Sequence, residues 1–161
     1  MPVTDRVQEL QQEVTELAPA VPTAQELMQR MVKLLHERML KYNWVGFYML
    51  EPGAQPPMLA LGAFEGAMTP HTRIPLNQGI CGAAASSGQT VVVDDVSKDP
   101  RYLACSLETK SEIVVPVFVH GTVVGELDID SHFPAAFTPE HQKLVQYCAK
   151  LVGKKLETAG R

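Results

Sequence analysis

The sequence of 161 residues has few cysteines, no long apolar run and no cluster of basic residues. Its three cysteines are an odd number, which does not suit the disulfide framework of a small secreted protein. No stretch approaches the roughly 20 apolar residues that cross a bilayer, and the N-terminal segment lacks the apolar core of a signal peptide. We therefore expect a cytoplasmic protein without a membrane segment, where a disulfide is more often catalytic or redox-sensing than structural.

The charge balance argues against a nucleic-acid-binding protein. The formal net charge is -4, and Lys and Arg together number 14 against 18 Asp and Glu. Nucleic-acid binding needs a basic stripe, so no nucleic-acid partner is expected. Apolar residues make up 45% of the chain, which is enough to build the core of one domain of this length.

Helical periodicity is clearest near the N-terminus. Residues 4–17 carry an apolar stripe at helical spacing, formed by Val7, Leu10, Val14 and Leu17. A capping box at Thr23 to Glu26 then starts a second helix that should run to about Lys41. We expect a helical extension over residues 1–20 and one domain over residues 21–161. The stripe must be buried somewhere, which favours a homodimer.

The remainder of the chain alternates β-favouring segments with turn residues. The fold class that this order predicts is α+β, with an antiparallel sheet and helices on one face. A tight turn at His120-Gly121 should join the last two strands. The predicted elements are strands at 44–50, 58–64, 72–76, 90–94, 111–119 and 122–131, a short helix at 79–87, and a last helix that Thr138 caps.

Two of the cysteines occupy positions where a thiol could react. Cys81 lies at the predicted start of the short helix, and a helix N-terminus lowers the pKa of a thiol. It could equally be a small buried residue beneath the helix, because free cysteine is often buried. Cys105 follows a polar loop and could be functional or a packing residue. Cys148 lies on the apolar stripe of the last helix and is predicted to be core.

Carboxylates alternate along the last predicted strand. Glu126, Asp128 and Asp130 therefore point to one face, where they could bind an ammonium group or supply a proton. Residue numbers that sum to about 241 should pair across the turn, which places Glu112 opposite residue 129 and beside Asp128 and Asp130. A register slip of one residue would turn the side chains over. The alternative is a solvated strand face.

Two aromatic residues flank a glycine on the first strand. Trp44 and Tyr48 share a face with Gly46 and could form a shallow apolar box for a methyl or thioether group, although such pairs also occur in cores. His71, Cys81 and Cys105 are spaced too irregularly for a known zinc pattern. We therefore expect no metal and no organic cofactor.

These features coincide in one known family. From about residue 23 to about residue 150, the chain resembles the free methionine-(R)-sulfoxide reductases, which are stand-alone GAF domains. Several separated motifs occur in the same order, which is more specific than any one of them. The matching segments are Asn43–Tyr48, Thr72–Pro75, Gly79–Gly82, Ala104–Cys105, Ser111–Pro116 and Gly125–Ser131.

The resemblance implies a GAF fold and a substrate site. Trp44 and Tyr48 would face the methyl group of the sulfoxide. Glu112, Asp128 and Asp130 would hold the amino group and the sulfoxide oxygen of free methionine-(R)-sulfoxide. The resemblance does not assign which of the three contacts the amino group and which contacts the oxygen.

The resemblance also implies a redox cycle. Cys105 would attack sulfur, Cys81 would close a disulfide with it, and a thioredoxin-type dithiol would reduce that disulfide; the reverse order of the two cysteines stays open. The family usually has a further cysteine where this chain has His71, so Cys81 is the evident partner for Cys105. The alternative is a GAF module that binds a small molecule or senses redox state without turnover.

Overall fold

A computed structural model describes residues 3–102 and 107–159 of the chain. Within these ranges the chain forms four α-helices, six β-strands and one turn of 3₁₀ helix at Val96–Lys98. In chain order the elements are α1 (Val3–Ala20), α2 (Ala24–Arg38), β1 (Trp44–Leu50), β2 (Met58–Glu65), β3 (Arg73–Pro75), α3 (Gly79–Ser87), β4 (Val91–Val93), β5 (Ser111–Val119), β6 (Thr122–Ser131) and α4 (Pro139–Ala159).

The strands form one antiparallel sheet in the order β3-β2-β1-β6-β5-β4. Two hairpins, β1–β2 and β5–β6, are joined edge to edge by pairing between β1 and β6. The central strands β1 and β6 therefore come from distant parts of the chain, and their side chains meet in the middle of the sheet. The predicted α+β class and the predicted strands are confirmed, and no strand end differs from its prediction by more than one residue.

Helices α1, α2 and α4 cover one face of the sheet, called here the three-helix face. Side chains from these helices form a single core with the apolar residues of β1, β5 and β6. Leu10 and Val14 of α1 are fully buried in this core. The stripe of α1 is thus covered within its own chain and no longer argues for a dimer. The predicted boundary between residues 1–20 and 21–161 stays a prediction.

The short helix α3 lies on the opposite face, called here the α3 face. The prediction that the helices gather on one face is therefore wrong for α3 among the described helices. Its contacts are with β3, β4, β5 and β6. Small residues allow a close approach: a Cβ on Gly82 would stand 2.7 Å from the carbonyl oxygen of Leu76. Most of β5 and β6 is consequently buried on both faces.

Helix α2 ends earlier than the sequence predicts. It stops at Arg38 instead of continuing to about Lys41, because Met39 is extended and closes the last turn by donating to the carbonyl oxygen of Leu35. None of the helices within the described residues is long and apolar enough to span a bilayer.

The turn at His120-Gly121 has positive φ at both residues, 50° and 79°. This backbone is typical of the tight turns that join two neighbouring strands. Next to the turn, partner numbers sum to 241, as in the pairing of Val119 with Thr122. A register shift at Val117/Phe118 then changes the sum to 242, so Glu112 pairs with Asp130 instead of residue 129. The predicted register is wrong by one residue beyond this bulge.

Candidate active site

Four carboxyl groups lie together on the α3 face of the sheet. Glu126, Asp128 and Asp130 come from β6, and Glu112 of β5 stands directly opposite Asp130. None of these residues exceeds 5% exposure, and Glu126 is fully buried. The alternative of a solvated strand face is therefore wrong. The predicted grouping of Glu112 with Asp128 and Asp130 holds despite the register error, because directly paired residues share a face.

Several oxygens of this carboxylate cluster lack a hydrogen-bond partner. Both carboxyl oxygens of Glu126, Oδ1 of Asp128 and Oδ1 of Asp130 accept no hydrogen bond from any residue in the described ranges. Buried polar atoms are normally satisfied, since an unpaired one costs roughly 1–3 kcal/mol. The cluster is therefore suited to a ligand that brings positive charge or hydrogen-bond donors.

Burial changes the acid strength of the cluster. It raises the pKa of Glu112, Glu126 and Asp130 well above the usual range, and the negative charge of Asp128 adds to each effect. Burial also raises the pKa of Asp128, although hydrogen bonds from Glu112 and Cys81 oppose the change. The cluster therefore retains protons to higher pH than isolated carboxyl groups do, and it can donate one to a bound oxygen atom.

Cys81 points from α3 into the carboxylate cluster. Its Sγ donates a hydrogen bond to Oδ2 of Asp128 over 3.3 Å, and the residue is 6% exposed. Burial is the main reason that the pKa of the Cys81 thiol lies well above its usual range. The charges of Asp128, Glu126 and Glu112 raise it further. The lowered pKa expected from the helix N-terminus is thus wrong, because burial and three nearby carboxyl groups outweigh the helix dipole.

A stacked aromatic group borders the carboxylates. Trp44 and Tyr48 lie on β1 with ring centroids 6.1 Å apart, and Phe64 of β2 also stacks on Trp44, with ring centroids 5.8 Å apart. On the neighbouring strand, Trp44 pairs with Asp130 and Tyr48 pairs with Glu126. The predicted aromatic pair therefore adjoins the predicted carboxylates.

Gly46 explains how the Trp44 ring can lie flat over the sheet. A Cβ at Gly46 would collide with the six-membered part of the Trp44 ring and would stand 3.0 Å from Cβ of Phe64. The missing side chain leaves room for the indole. Gly46 is also the direct partner of Asp128 on β6, so this close packing occurs beside the carboxylates.

Two hydrogen bonds fix the aromatic side chains to the segment that follows β2. Nε1 of Trp44 donates to the carbonyl oxygen of Ala67 over 3.1 Å. The hydroxyl of Tyr48 donates to the carbonyl oxygen of His71 over 2.6 Å. The backbone at position 71 therefore borders the site.

The remaining cysteines have different outcomes. Cys105 lies outside the described residues, so its pairing with Cys81 stays a prediction. Cys148 is fully buried in the core of the three-helix face, as predicted. Burial raises the pKa of the Cys148 thiol to about 12, which is unsuitable for a nucleophile at neutral pH.

One residue of the site, Phe64, is not identified by sequence reasoning. Glu126 is predicted on the face of Asp128 and Asp130, and it is completely buried there. Phe64 pairs with Gly46 across the β1–β2 hairpin, and aromatic character opposite a glycine is the signal that could have found it. For a metal ion, the candidate ligand group in the described part of the chain is Cys81, Glu112 and Asp128.

An opening reaches this site from one end of the sheet. A cavity of about 300 Å³ is lined by Trp44, Met68, Thr109, Asp130 and His132, among others. This volume is at the lower end of the range for small-molecule sites, whose volumes are about 300–1,000 Å³. A ligand as small as one amino acid suits the opening.

Comparison with known proteins identifies the class and then the family. The profile of the GAF domain matches residues 23–156. The free methionine-R-sulfoxide reductase of Escherichia coli is 37% identical over 125 residues, which are 78% of this chain and 73% of that protein.

Solved structures agree. The X-ray structure of free methionine-R-sulfoxide reductase from Neisseria meningitidis in complex with its substrate has a TM-score of 0.91 and 31% identity, and the match covers 99% of this chain and 93% of that one. The type II enzyme of Thermoplasma acidophilum has a TM-score of 0.77 and 41% identity over 87% and 94% of the two chains. This chain belongs to the free methionine-R-sulfoxide reductases, a family of GAF-domain proteins.

Proposed function

We propose that this chain reduces free L-methionine-(R)-sulfoxide to methionine through a cysteine sulfenic acid and disulfide cycle. The observation that carries the proposal is the buried site in which unpaired carboxyl oxygens, a stacked aromatic pair and a thiol adjoin one another. A zwitterionic sulfoxide offers an ammonium group, a polar oxygen and a methyl group, which match these three kinds of surface.

The substrate would bind with its sulfoxide methyl against Trp44 and Tyr48. Its ammonium group and sulfoxide oxygen would contact Glu112, Asp128 and Asp130. An ionised carboxyl suits the ammonium, whereas a protonated carboxyl suits the oxygen. The raised pKa values within the cluster allow both forms to exist at once, since like charges at close range ionise in separate steps.

In the first chemical step, the Cys105 thiolate attacks the sulfur of the substrate while a protonated carboxyl donates its proton to the sulfoxide oxygen. The oxygen is transferred to Cys105 as a sulfenic acid, and methionine leaves with its sulfur reduced by two electrons. The role of Cys105 rests on the family resemblance. The chemistry requires no metal and no organic cofactor.

In the second step, Cys81 condenses with the sulfenic acid, which forms the disulfide and releases water. The neutral Cys81 thiol needs a base as it reacts, and Asp128 already accepts its hydrogen bond. A thioredoxin-type dithiol then reduces the disulfide by two exchange steps and becomes a disulfide itself. This reductant and a cytoplasmic location are parts of the same proposal.

The function is tested by following NADPH oxidation coupled through thioredoxin reductase and thioredoxin, with free methionine-(R)-sulfoxide as substrate. Cys105→Ser should abolish methionine formation. Cys81→Ser should form one methionine per protein and then stop. Cys148→Ala is the matched control, because it also removes a buried cysteine but lies on the three-helix face; it should retain turnover. Multiple turnovers in Cys81→Ser would disprove the resolving role.

A second candidate function is a GAF module that binds a small molecule or senses redox state without turnover. His71 favours it, because the family usually has a cysteine at this position. Thiol counting after one equivalent of methionine sulfoxide separates the two candidates, since an enzyme loses two thiols and a binding module loses none. The homodimer also stays a prediction, which size-exclusion chromatography with light scattering tests.

A further inference from the structure

A thiol and two carboxyl groups converge at the centre of the site. Sγ of Cys81 and one carboxyl oxygen each of Glu112 and Asp128 all lie within 4.8 Å of one another, and all three residues are buried. Zinc is bound by sulfur at about 2.3 Å and by carboxylate oxygen at about 2.0–2.2 Å. Small side-chain rotations would therefore bring these three atoms onto one cation.

A fourth group supplies an independent indication of a ligand. Glu126 is fully buried, and neither of its carboxyl oxygens accepts a hydrogen bond from a described residue. Its charge raises the pKa of Cys81, and the charge of Asp128 raises the pKa of Glu126 itself, so the carboxyl lies close to both. Glu126 thus has two unpaired carboxyl oxygens near the other three ligands, and a rotation of its side chain would bring one of them onto the cation.

We propose that this site binds a thiophilic divalent cation, Zn²⁺ in preference to Mg²⁺ or Ca²⁺, through Cys81, Glu112 and Asp128 with Glu126 as a fourth ligand. Thiolate ligands select zinc over the hard cations. Calcium takes 6–8 oxygen ligands at 2.3–2.6 Å, and magnesium demands a near-octahedral shell of oxygens. A small buried group of one sulfur and a few oxygens provides neither shell.

Binding would exclude the substrate and disable the thiol. The cation forms a Zn–S bond with Cys81, whose proton passes to solvent, and no electrons are transferred. The cation would also occupy the carboxyl oxygens that the ammonium of methionine sulfoxide would contact. This second consequence, competition with the substrate, rests on the function proposed above, whereas the binding of the cation does not.

Co²⁺ is the probe for the binding itself, because a cobalt–thiolate bond has a near-ultraviolet charge-transfer band and the ion takes zinc-like geometry. The reduced full-length protein should show the band with one equivalent of CoCl₂, and ZnCl₂ should remove it. Cys148→Ala should keep the band, and Cys81→Ser should lose it. Glu126→Gln should keep the band and weaken Co²⁺ binding, because an amide oxygen carries no charge.

The same experiments have outcomes that would overturn the proposal. No thiolate band in the reduced protein, or an unchanged band in Cys81→Ser, would exclude this site. If circular dichroism shows that Cys81→Ser does not fold, the Glu126→Gln variant provides the test. An unchanged affinity for Co²⁺ in that variant would contradict the role of Glu126 as fourth ligand. Turnover measured in metal-free buffer tests the enzymatic function separately, and displacement of Co²⁺ by methionine sulfoxide tests the competition.

Discussion

The thiol of Cys81 donates a hydrogen bond to the carboxylate of Asp128, which lies on a different element and 47 residues further along the chain. This contact links α3 to the centre of the sheet. Because the acceptor is negatively charged and buried, it stabilises the thiol over the thiolate. This favours the proposed order of reaction, in which another cysteine attacks the substrate first and Cys81 then forms a disulfide with the resulting sulfenic acid.

Removing the charge of Asp128 should make Cys81 more reactive. In Asp128→Asn the pKa of the Cys81 thiol falls, and the thiolate fraction at pH 7.5 rises about tenfold for each pKa unit lost. Peptide-resolved mass spectrometry of iodoacetamide labelling measures the rate at Cys81. Glu16→Gln removes an exposed carboxyl from α1 and should leave the rate unchanged. An equal or slower rate in Asp128→Asn would contradict the electrostatic explanation.

Stability should fall as pH rises, because the carboxylate cluster is buried. Burial raises the folded-state pKa of Glu126 above the ordinary 4.5. Below about 4.5 the group is neutral in both states, so its ionisation costs no stability. Above that pH the unfolded state loses its proton first, and the free energy of unfolding decreases by up to about 1.4 kcal/mol per pH unit per proton until the folded pKa is passed.

Glu126→Gln isolates the contribution of that residue. The amide cannot ionise, so the variant should be more stable than the parent at pH 8 and nearly equal to it at pH 4. Urea unfolding at a series of pH values measures the difference, with Glu16→Gln as the exposed control. A difference that grows toward acid pH would show the opposite sign of linkage.

Gly46 should be essential for the aromatic surface of the site. Gly46→Ala places a Cβ where the Trp44 ring now lies, so the ring must move away from Tyr48, and kcat/KM for methionine sulfoxide should fall by roughly 10-fold or more. Gly62→Ala is the matched control on β2, since its Cβ would meet one backbone oxygen at an ordinary 3.4 Å. Equal kinetics in the two variants would refute the packing role of Gly46.

A cysteine at position 71 should restore turnover when Cys81 is absent. The carbonyl group of His71 already accepts the Tyr48 hydroxyl at the border of the site. In the double variant His71→Cys, Cys81→Ser, multiple turnovers in the thioredoxin-coupled assay are expected, while Cys81→Ser alone stops after one. A double variant that also stops after one turnover would show that position 71 cannot reach the sulfenic acid.

Tyr42 and His141 should contribute stability without affecting catalysis. The Tyr42 hydroxyl lies 2.6 Å from Nδ1 of His141, and both residues are buried away from the α3 face. Tyr42→Phe leaves Nδ1 without this partner, which costs about 1–2 kcal/mol of unfolding free energy. Tyr147→Phe removes a hydroxyl that contacts Thr15 near the surface, so water can replace it and the loss should be smaller. Chemical denaturation and kcat measure the two effects.

Local patterns in the sequence predict most of the fold. The capping residue Thr23, the positive-φ turn at His120-Gly121 and the alternation of acidic and apolar residues on β6 each act over a few positions. They specify helix starts, a hairpin and the common face of the acids. The shared face of Trp44 and Tyr48 follows from the same short-range alternation.

Features that depend on tertiary packing could not be predicted in this way. The pKa of Cys81 depends on carboxyl groups from other elements, which outweigh the local helix effect. The face covered by α3 depends on its packing against β5 and β6, which lie far along the chain. The partner of Glu112 depends on a bulge that leaves Val124 unpaired. Pro116 and Gly125 stand next to this bulge, but their presence alone does not fix the register.

Because of that bulge, the length of the β5–β6 hairpin determines which side chains of β5 face the carboxylate cluster. Side chains alternate between the two faces of a strand, so one residue gained or lost between Phe118 and Gly125 would reverse the facing of β5 relative to β6. Glu112 would then exchange places with Ile113, which would bring a carboxyl group into the three-helix core and a hydrocarbon into the pocket. In variants of this protein, insertions or deletions in that hairpin should therefore be tolerated only if they keep the Glu112 side chain on the α3 face.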